Sequence, residues 1–501
     1  MLLKGLIGAT LLALLARGFF EAFIQRTSTL QRNFPLVIHF RYWLEKMGAP
    51  LRQYLFLSDT AERPYNRTTR SWVYASSKGE NNVIGFGSGV DHNAPGTVHL
   101  MPSLFPVRTE ADHEDFALPP LIGKNRKHPY QPQSFFNISG MSFGALSANA
   151  VRALSGGAKK AHVYMSTGEG SMSPYHEEGG ADIVFQIGPA KFGVRSPDGA
   201  LDEKKLVELA SRPQVKMIEI KLAQGAKPGK GGVLPKAKIT EEISRIRGIP
   251  MGQDCHSPNT FSEFSNVKGL LEFVDHVQKL TGKPTGIKMV GGTKQQSEEL
   301  AQGISQGEVS PDFIIVDGTE GGSGAAPLAL ADYVGLPLRE GLTQMDNALR
   351  KYGVRNRTVL IASGKIATGG DVVQALALGA EMVNIARGFL FSIGCIQAMQ
   401  CHTNHCPTGI TTQDKRLQRG LDPALKSERV ANYAKNLKKD LFMMLHSCGL
   451  KHPGELTRDH LTMVVAPGEI RSLRQLYPYP DDAEAVLAAQ WQNIARGENA
   501  A

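Results

Sequence analysis

From about residue 130 the chain alternates two kinds of segment. Short, nearly continuous apolar runs occur at Phe135–Ile138, His162–Met165, Val215–Leu222, Gly286–Val290, Phe313–Val316, Val359–Ala362 and Met382–Ile385. Runs of this length without polar alternation predict strands buried on both faces, the pattern of a parallel sheet. A less regular run near Met251–Cys255 is counted as the eighth. Stretches with helical spacing lie between them, among them Ala145–Ala161, Glu298–Gly303 and Gly370–Leu378. Most runs end in small or polar residues: Ser139-Gly140, Ser166-Thr167-Gly168, Asp317-Gly318, Ser363-Gly364 and Arg387-Gly388. Eight strand–helix units over about 260 residues predict a TIM (β/α)8 barrel, an α/β fold with its functional loops at the strand C-terminal ends. A doubly wound sheet is the competing arrangement. Asp182–Val194 is read as a hairpin inserted after the second strand.

The flanks follow different patterns. Gly5–Ala16 carries no charge, and the apolar stretch runs on to Ile24 across Arg17 and Glu21. About twenty such residues are what a bilayer crossing needs. Arg17 and Glu21, four apart, are placed to pair on one helix face. A cleaved signal peptide fits less well, with Lys4 alone before the run and no small-x-small site after it. A buried core helix is the plain alternative. Arg17, Arg26, Arg32 and Arg41 accumulate at the C-terminal end of the run. The positive-inside rule then puts the main body on the cytoplasmic face behind a single-pass anchor; a soluble cytoplasmic protein is the alternative. Phe34–Leu44 either lies at a membrane interface or packs on the barrel. Val430–His446 has apolar residues at helical spacing, with Lys435, Lys438 and Lys439 opposite. Four regions are expected: a transmembrane or membrane-associated helix (1–30), an irregular cover (31–130), the barrel (131–415) and a C-terminal helical extension (416–501).

Composition narrows the function classes. With 42% hydrophobic and 21% charged residues in 501, the chain is globular rather than disordered. A net charge of +9 suits anionic ligands or acidic lipid. There is no zinc-finger spacing and no Arg-rich arm, so nucleic acid is not an expected partner. The five cysteines are odd in number and three fall within twelve residues. That argues against a secreted disulfide scaffold and for a reducing compartment, with a metal or cluster role for the trio.

Several strand ends carry chemistry. Ser363-Gly364-Lys365 and Arg387-Gly388 close the last two strands, where many TIM barrels hold a phosphate on backbone N–H groups. The small residues Gly140, Met141 and Ser142 after the first strand would let a flavin ring lie against the backbone. Lys288 sits inside the apolar run Gly286–Val290; a buried lysine needs an anion, either a reduced flavin or a structural carboxylate. Lys221, Lys227 and Arg247 suit the carboxylates of an acidic substrate, with solvated surface positions as the alternative. Glu169 is placed to accept from an amine or a flavin edge. Gly322, in Glu320-Gly-Gly-Ser-Gly324, marks another close-approach loop. Cys395, Cys401 and Cys406, with His402 and His405 between them, suit either an iron–sulfur cluster or a Cys3His zinc site. The spacing departs from the usual zinc pattern, and three thiolates suit a three-iron cluster.

Together these segments resemble the FMN-binding domain of glutamate synthase. The matching stretches are GMSFGALS, STGEG, KFGV, IKLAQGAKPGKGG, GIKMV, EGGSGA, GGDVV and CIQAMQCHTNHCPTGITTQ, spread over about residues 135–415. The resemblance implies a [3Fe–4S] cluster on Cys395, Cys401 and Cys406, and FMN on the Gly140–Ser142 loop, Lys288, Gly364 and Gly388. It implies a 2-oxoglutarate or iminoglutarate site on Glu169, Lys221, Lys227 and Arg247. Val233 and Lys230 depart from the family, which usually has Gln and an acidic residue there. The chain opens Met1-Leu2 and an apolar segment where the family has a glutaminase domain with an N-terminal Cys. No Gly-x-Gly-x-x-Gly follows a strand. The expected activity is therefore that of a stand-alone oxidoreductase acting on a CH–NH2 or imine group. It would take electrons from ferredoxin or another carrier and ammonia from a separate subunit. The alternative is a non-catalytic or electron-transfer subunit of a membrane-associated complex; a different FMN barrel enzyme that has lost the acid pocket is a third.

Overall fold

The computed structural model describes residues 2–80, 83–108 and 117–480 and divides into two units between Thr68 and Thr69. In the larger unit eight strands close into a barrel. They are Phe136–Ile138 (β1), Met165–Ser166 (β2), Ile183–Ile187 (β3), Val215–Lys221 (β4), Thr285–Val290 (β5), Phe313–Asp317 (β6), Val359–Ser363 (β7) and Met382–Ile385 (β8). Every neighbouring pair is parallel, and their order around the barrel is their order along the chain. This is the expected TIM barrel.

Two strand assignments need correction. Asp182–Val194 is not an inserted hairpin. Its Ile183–Ile187 portion is β3, paired in parallel with β2 and β4 and buried at every position. The run near Met251–Cys255 supplies no barrel strand. Cys255–His256 pairs antiparallel with Val233–Leu234 in a two-stranded ribbon. One cause explains both. β2 is only two residues long, and the crossover to β3 holds only the five-residue helix Pro174–Glu178. That unit lacks the long helical stretch by which a parallel crossover is recognised.

The barrel interior near the strand starts is packed with Tyr164, Val184, Met217, Phe313, Ile361 and Met382, joined by Ile122 and Tyr130. Full burial of such side chains stabilises by roughly 1.5–3 kcal/mol each. Ile122 and Tyr130 exchange backbone hydrogen bonds of 2.9 and 3.0 Å, so the segment before β1 plugs this end. The opposite, C-terminal end stays polar. Helix Ala148–Ala161, capped by Ser147, packs beside helix Pro423–Ser447, which starts with Asp422 as cap and Pro423 in its first turn. Beyond that helix the chain adds strands Leu461–Ala466 and Glu469–Ser472, which join Val98–Leu100 in an antiparallel sheet. A buried ion cluster ties this region down: Asp346 accepts from Arg350, Arg355 and Arg458, each at 2.8 Å.

In the smaller unit, helix Leu2–Phe19 continues through a wider turn, Phe20–Ile24. Leu3–Ile24 is long and apolar enough, by length and composition, to cross a membrane, and most of it is exposed. Arg17 pairs with Glu21 at 3.0 Å as its spacing predicts. Glu21 also accepts from His39 at 2.6 Å and from the Leu36 N–H at 2.8 Å. These bonds hold helix Ile38–Leu51 against the first helix. Val37, Phe40, Trp43 and Leu44 remain exposed.

Candidate active site

Side chains alternate along a strand, so Glu219 and Lys221 of β4 share one face, and Lys288 lies opposite Lys221 on β5. Two lysines side by side on a barrel wall repel unless acids flank them. Glu169, in the loop after β2, meets the Lys221 ammonium at 3.1 Å. Asp317, at the end of β6, lies 3.8 Å from that of Lys288. Glu219 accepts from Ser166 at 3.1 Å and from Gln186 Nε2 at 2.7 Å. The C-terminal end of the barrel is therefore a ring of buried polar groups.

Lys288 is buried, yet its nearest acceptors are distant: Ser139 Oγ at 3.4 Å and Asp317 Oδ2 at 3.8 Å. Asp317 spends its short hydrogen bond elsewhere, on the Gly225 N–H at 2.8 Å. A buried ammonium without a close partner is costly, and an anion in the mouth would complete it. Of the two readings of Lys288, the structural pair exists but is long.

The residues expected to bind an acidic substrate come together. Glu169, Lys221, Lys227 and Arg247 are all buried or nearly so and act on one another electrostatically. Arg247 ends helix Glu241–Arg247 in the long β4–β5 connection and donates to the Phe143 carbonyl at 2.7 Å and to Ser142 Oγ at 3.3 Å. Its Nε is buried with no hydrogen-bond partner. Burial pushes Lys227 down to about 8, with Lys221 and Lys230 adding to the fall and Glu169 opposing it. Burial works to raise Glu169, but Lys221, Lys227 and Arg247 outweigh it and hold the carboxyl low. Three cations around one carboxylate leave an excess of positive charge, which suits a dicarboxylate. The alternative of solvated surface lysines does not describe these positions.

The small residues line up on the same mouth. Gly168 has φ +65°, and a Cβ there would lie 2.6 Å from the Ser142 N, so the loops after β1 and β2 close only on glycine. Gly140 packs between Gln186 and that loop, with Met141 and Ser142 half-buried beside it. Ser363 ends β7 and accepts from the Gly318 N–H at 2.8 Å. Gly364 follows at φ +132°, against the Gly318 backbone. Gly322 is exposed, packs on Arg387 and accepts from Gln224 at 3.3 Å. Gly388 is filled on its side-chain side by Tyr433, so only its backbone is available to a ligand. Arg387 donates to the Glu320 carbonyl and braces that loop.

The cysteines sit on one loop after helix Arg387–Ser392. Cys406 is buried, Cys395 and Cys401 partly so, and His402 and His405 are exposed. Burial pushes the Cys395 thiol up to about 12, and its neighbours Cys401 and Cys406 add to the rise. Burial also works to raise Cys406, but hydrogen bonds from Thr408 and Thr411 hold it below the ordinary value. Among the described residues no three His, Cys, Asp or Glu side chains are disposed around a single metal ion. The buried Lys238 ammonium closes the loop, donating to the carbonyls of Cys401 and Thr411 at 2.7 Å and of Ala145 at 3.2 Å.

Residues 108–451 match the family described as the conserved region in glutamate synthase. The chain belongs to the glutamate synthase family. Family members are oxidoreductases, and membership implies an FMN and an iron–sulfur cofactor. The chain is 37% identical to the glutamate synthase large subunit-like protein YerD of Bacillus subtilis, over 90% of this chain and 93% of that one. It is 35% identical to the archaeal glutamate synthase [NADPH] of Methanocaldococcus jannaschii, over 62% of this chain and 58% of that one. A glutamate synthase large subunit-like protein of Rhizobium meliloti is 30% identical over 67% and 76%. The match thus spans well under two thirds of the archaeal enzyme and nearly all of the Bacillus protein. In this glutamate synthase-family barrel, residue-by-residue reading of the sequence missed Ser139, Gln186, Glu219, Gln224 and Asp317. Glu219 was legible, standing two residues before Lys221 on a strand. Gln186 was hidden by the hairpin reading of its strand.

Proposed function

We propose that the protein is a glutamate synthase-like oxidoreductase that uses FMN and a [3Fe–4S] cluster to reduce the imine of a 2-oxo acid and an amine. 2-Oxoglutarate with ammonia, giving glutamate, is the leading pair. The observation that carries this reading is one barrel mouth holding both a buried, poorly paired ammonium, Lys288, and an excess-positive pocket of Lys221, Lys227 and Arg247 around Glu169. When bound, the flavin supplies hydride chemistry and the cluster supplies single electrons. The chain's own work is positioning. Lys221, Lys227 and Arg247 hold the carboxylates, and the orphaned Nε of Arg247 gives one of them a donor. Glu169, kept ionised by its neighbours, accepts an N–H from the amine. Lys288 would meet the anionic part of the flavin, the Gly140–Ser142 loop would take its ring, and Ser363, Gly364, Gly388 and Gly322 would hold its phosphate.

Cys395, Cys401 and Cys406 would hold the cluster. Three cysteines on one loop, at a spacing unlike the usual zinc pattern, suit a multi-iron cluster. Electrons would come from ferredoxin or another carrier protein, and ammonia from a separate subunit. The exposed apolar helix Leu3–Ile24 supports a single-pass anchor with the barrel on the cytoplasmic face. Recovery in a salt-washed membrane fraction, lost on deletion of residues 1–24, is the expected result; a soluble full-length protein would overturn that part alone.

The catalytic reading is tested with purified protein, an artificial reductant, 2-oxoglutarate and ammonia. Glutamate formation is expected. No turnover by flavin-loaded protein with this or any 2-oxo acid in a panel would leave the electron-transfer subunit as the function. The half-buried Val233 in the ribbon, in place of the family's Gln, favours that second reading.

A further inference from the structure

One buried cation touches the cysteine loop, and a second lies on a helix that touches it. Lys238 lies in the short turn Lys236–Lys238 of the β4–β5 connection, and its ammonium donates to the three carbonyls of Ala145, Cys401 and Thr411. No carboxylate among the described residues pairs with it. Neutral carbonyls satisfy its hydrogens and leave its charge uncompensated in a buried site. Arg70 lies in helix Arg67–Lys78 and is also buried. Tyr74, one helical turn further on the same face, donates its hydroxyl to the Cys395 carbonyl at 2.6 Å. The same helix is seated on the elements beside the loop, by Trp72 against Tyr433 and Tyr74 against Phe391. The electrostatic neighbours agree with this placement: Lys238 feels the Cys401 and Cys406 thiols, and Cys395 feels Arg70.

We infer that Lys238 and Arg70 are the built-in counter-charges of the iron–sulfur centre and set its reduction potential. The inference rests on the cluster reading of Cys395, Cys401 and Cys406 given above. An iron–sulfur centre on three thiolates is an anion, and the electron it receives from a carrier protein makes it more negative. No bond or proton changes at either residue in that one-electron step. Fixed positive charge nearby therefore favours the reduced form. Lys238 also joins the cysteine loop to Ala145, just beyond the Gly140–Ser142 loop.

The test is an anaerobic redox titration of the full-length protein, followed by the EPR signal of the cluster, with iron and sulfide content measured in parallel. Lys238→Met and Arg70→Met are each expected to lower the reduced-to-oxidised ratio at a fixed poise about tenfold, which is about 59 mV for one electron. Lys238→Arg and Arg70→Lys keep the charge and should titrate close to wild type. A purely structural role would not separate charge-keeping from charge-removing variants. Should Lys238→Met lose its cluster, the comparison of Arg70→Met with Arg70→Lys decides the question. Met variants with full cluster content and a ratio within twofold of wild type would overturn the inference and leave the cluster reading intact. A wild-type protein that holds no cluster even after reconstitution would overturn the cluster reading and the inference with it.

Discussion

Replacing Lys288 by Met removes one buried charge and keeps the length of the side chain. Its protein partners are Asp317 at 3.8 Å and Ser139 at 3.4 Å. At an effective dielectric near 20 the ion pair is worth about 4 kcal/mol of attraction. Desolvating an ammonium costs several kcal/mol, so the two nearly cancel. Asp317 also keeps its hydrogen bond from Gly225. Removing Lys288 alone leaves the buried Asp317 carboxylate with that bond as its remaining short contact, so folding stability should fall by up to about 3–5 kcal/mol. A bound flavin ring in addition loses a hydrogen bond from a charged donor, worth about 1.5–3 kcal/mol. That corresponds to a roughly 10- to 150-fold rise in Kd. The assay is a titration of flavin-stripped protein with FMN by flavin fluorescence, beside urea unfolding of the same samples. Riboflavin should show the same loss, since Lys288 is assigned to the ring rather than the phosphate. Binding within twofold of wild type, together with a large loss of stability, would show that Lys288 is only a structural partner of Asp317.

Two more predictions concern charge. Lys227 loses its proton near pH 8, so the KM for a 2-oxo dicarboxylate should rise as pH climbs through about 8, and Lys227→Met should flatten that rise. Because its folded value lies below the ordinary 10.5, the unfolded chain binds more protons between about 8 and 10.5, and Lys227 makes unfolding free energy increase with pH there. The KM against pH and urea midpoints over the same range check both signs. Asp346→Ala strands Arg350, Arg355 and Arg458 in the interior and should cost about 3–5 kcal/mol, read as a lower urea midpoint. An unchanged midpoint would mean that the remaining partners, Glu381 and the carbonyls of Thr358, Gly379 and Tyr477 among them, suffice for the buried guanidiniums.

The barrel was legible because seven of its strands are apolar on both faces and end in polar or small residues. β3 has the same apolar signature, but the very short β2 and the five-residue helix before it disguised its place in the repeat. The sheet built from Val98–Leu100 and the strands after residue 460 was not legible, since its pairing joins distant parts of the chain. At the site, Lys288, Lys221, Lys227 and Arg247 stood out because charge inside apolar or glycine-rich segments demands an explanation. Ser139, Gln186 and Asp317 did not, because short polar side chains at strand ends look like ordinary turn chemistry. Lys238 was hidden for another reason. Only the folded chain brings a loop lysine to the carbonyls of Cys401 and Thr411.

The central claim is that one barrel holds a flavin beside an iron–sulfur centre on Cys395, Cys401 and Cys406. The most direct measurement is the visible spectrum of protein purified without oxygen, with acid-released flavin, iron and sulfide assayed on the same sample. The account predicts FMN bands over a broad iron–sulfur absorbance, with that absorbance and the iron lost in Cys401→Ser while the flavin stays. A protein that remains colourless after reconstitution with FMN, iron and sulfide would contradict it.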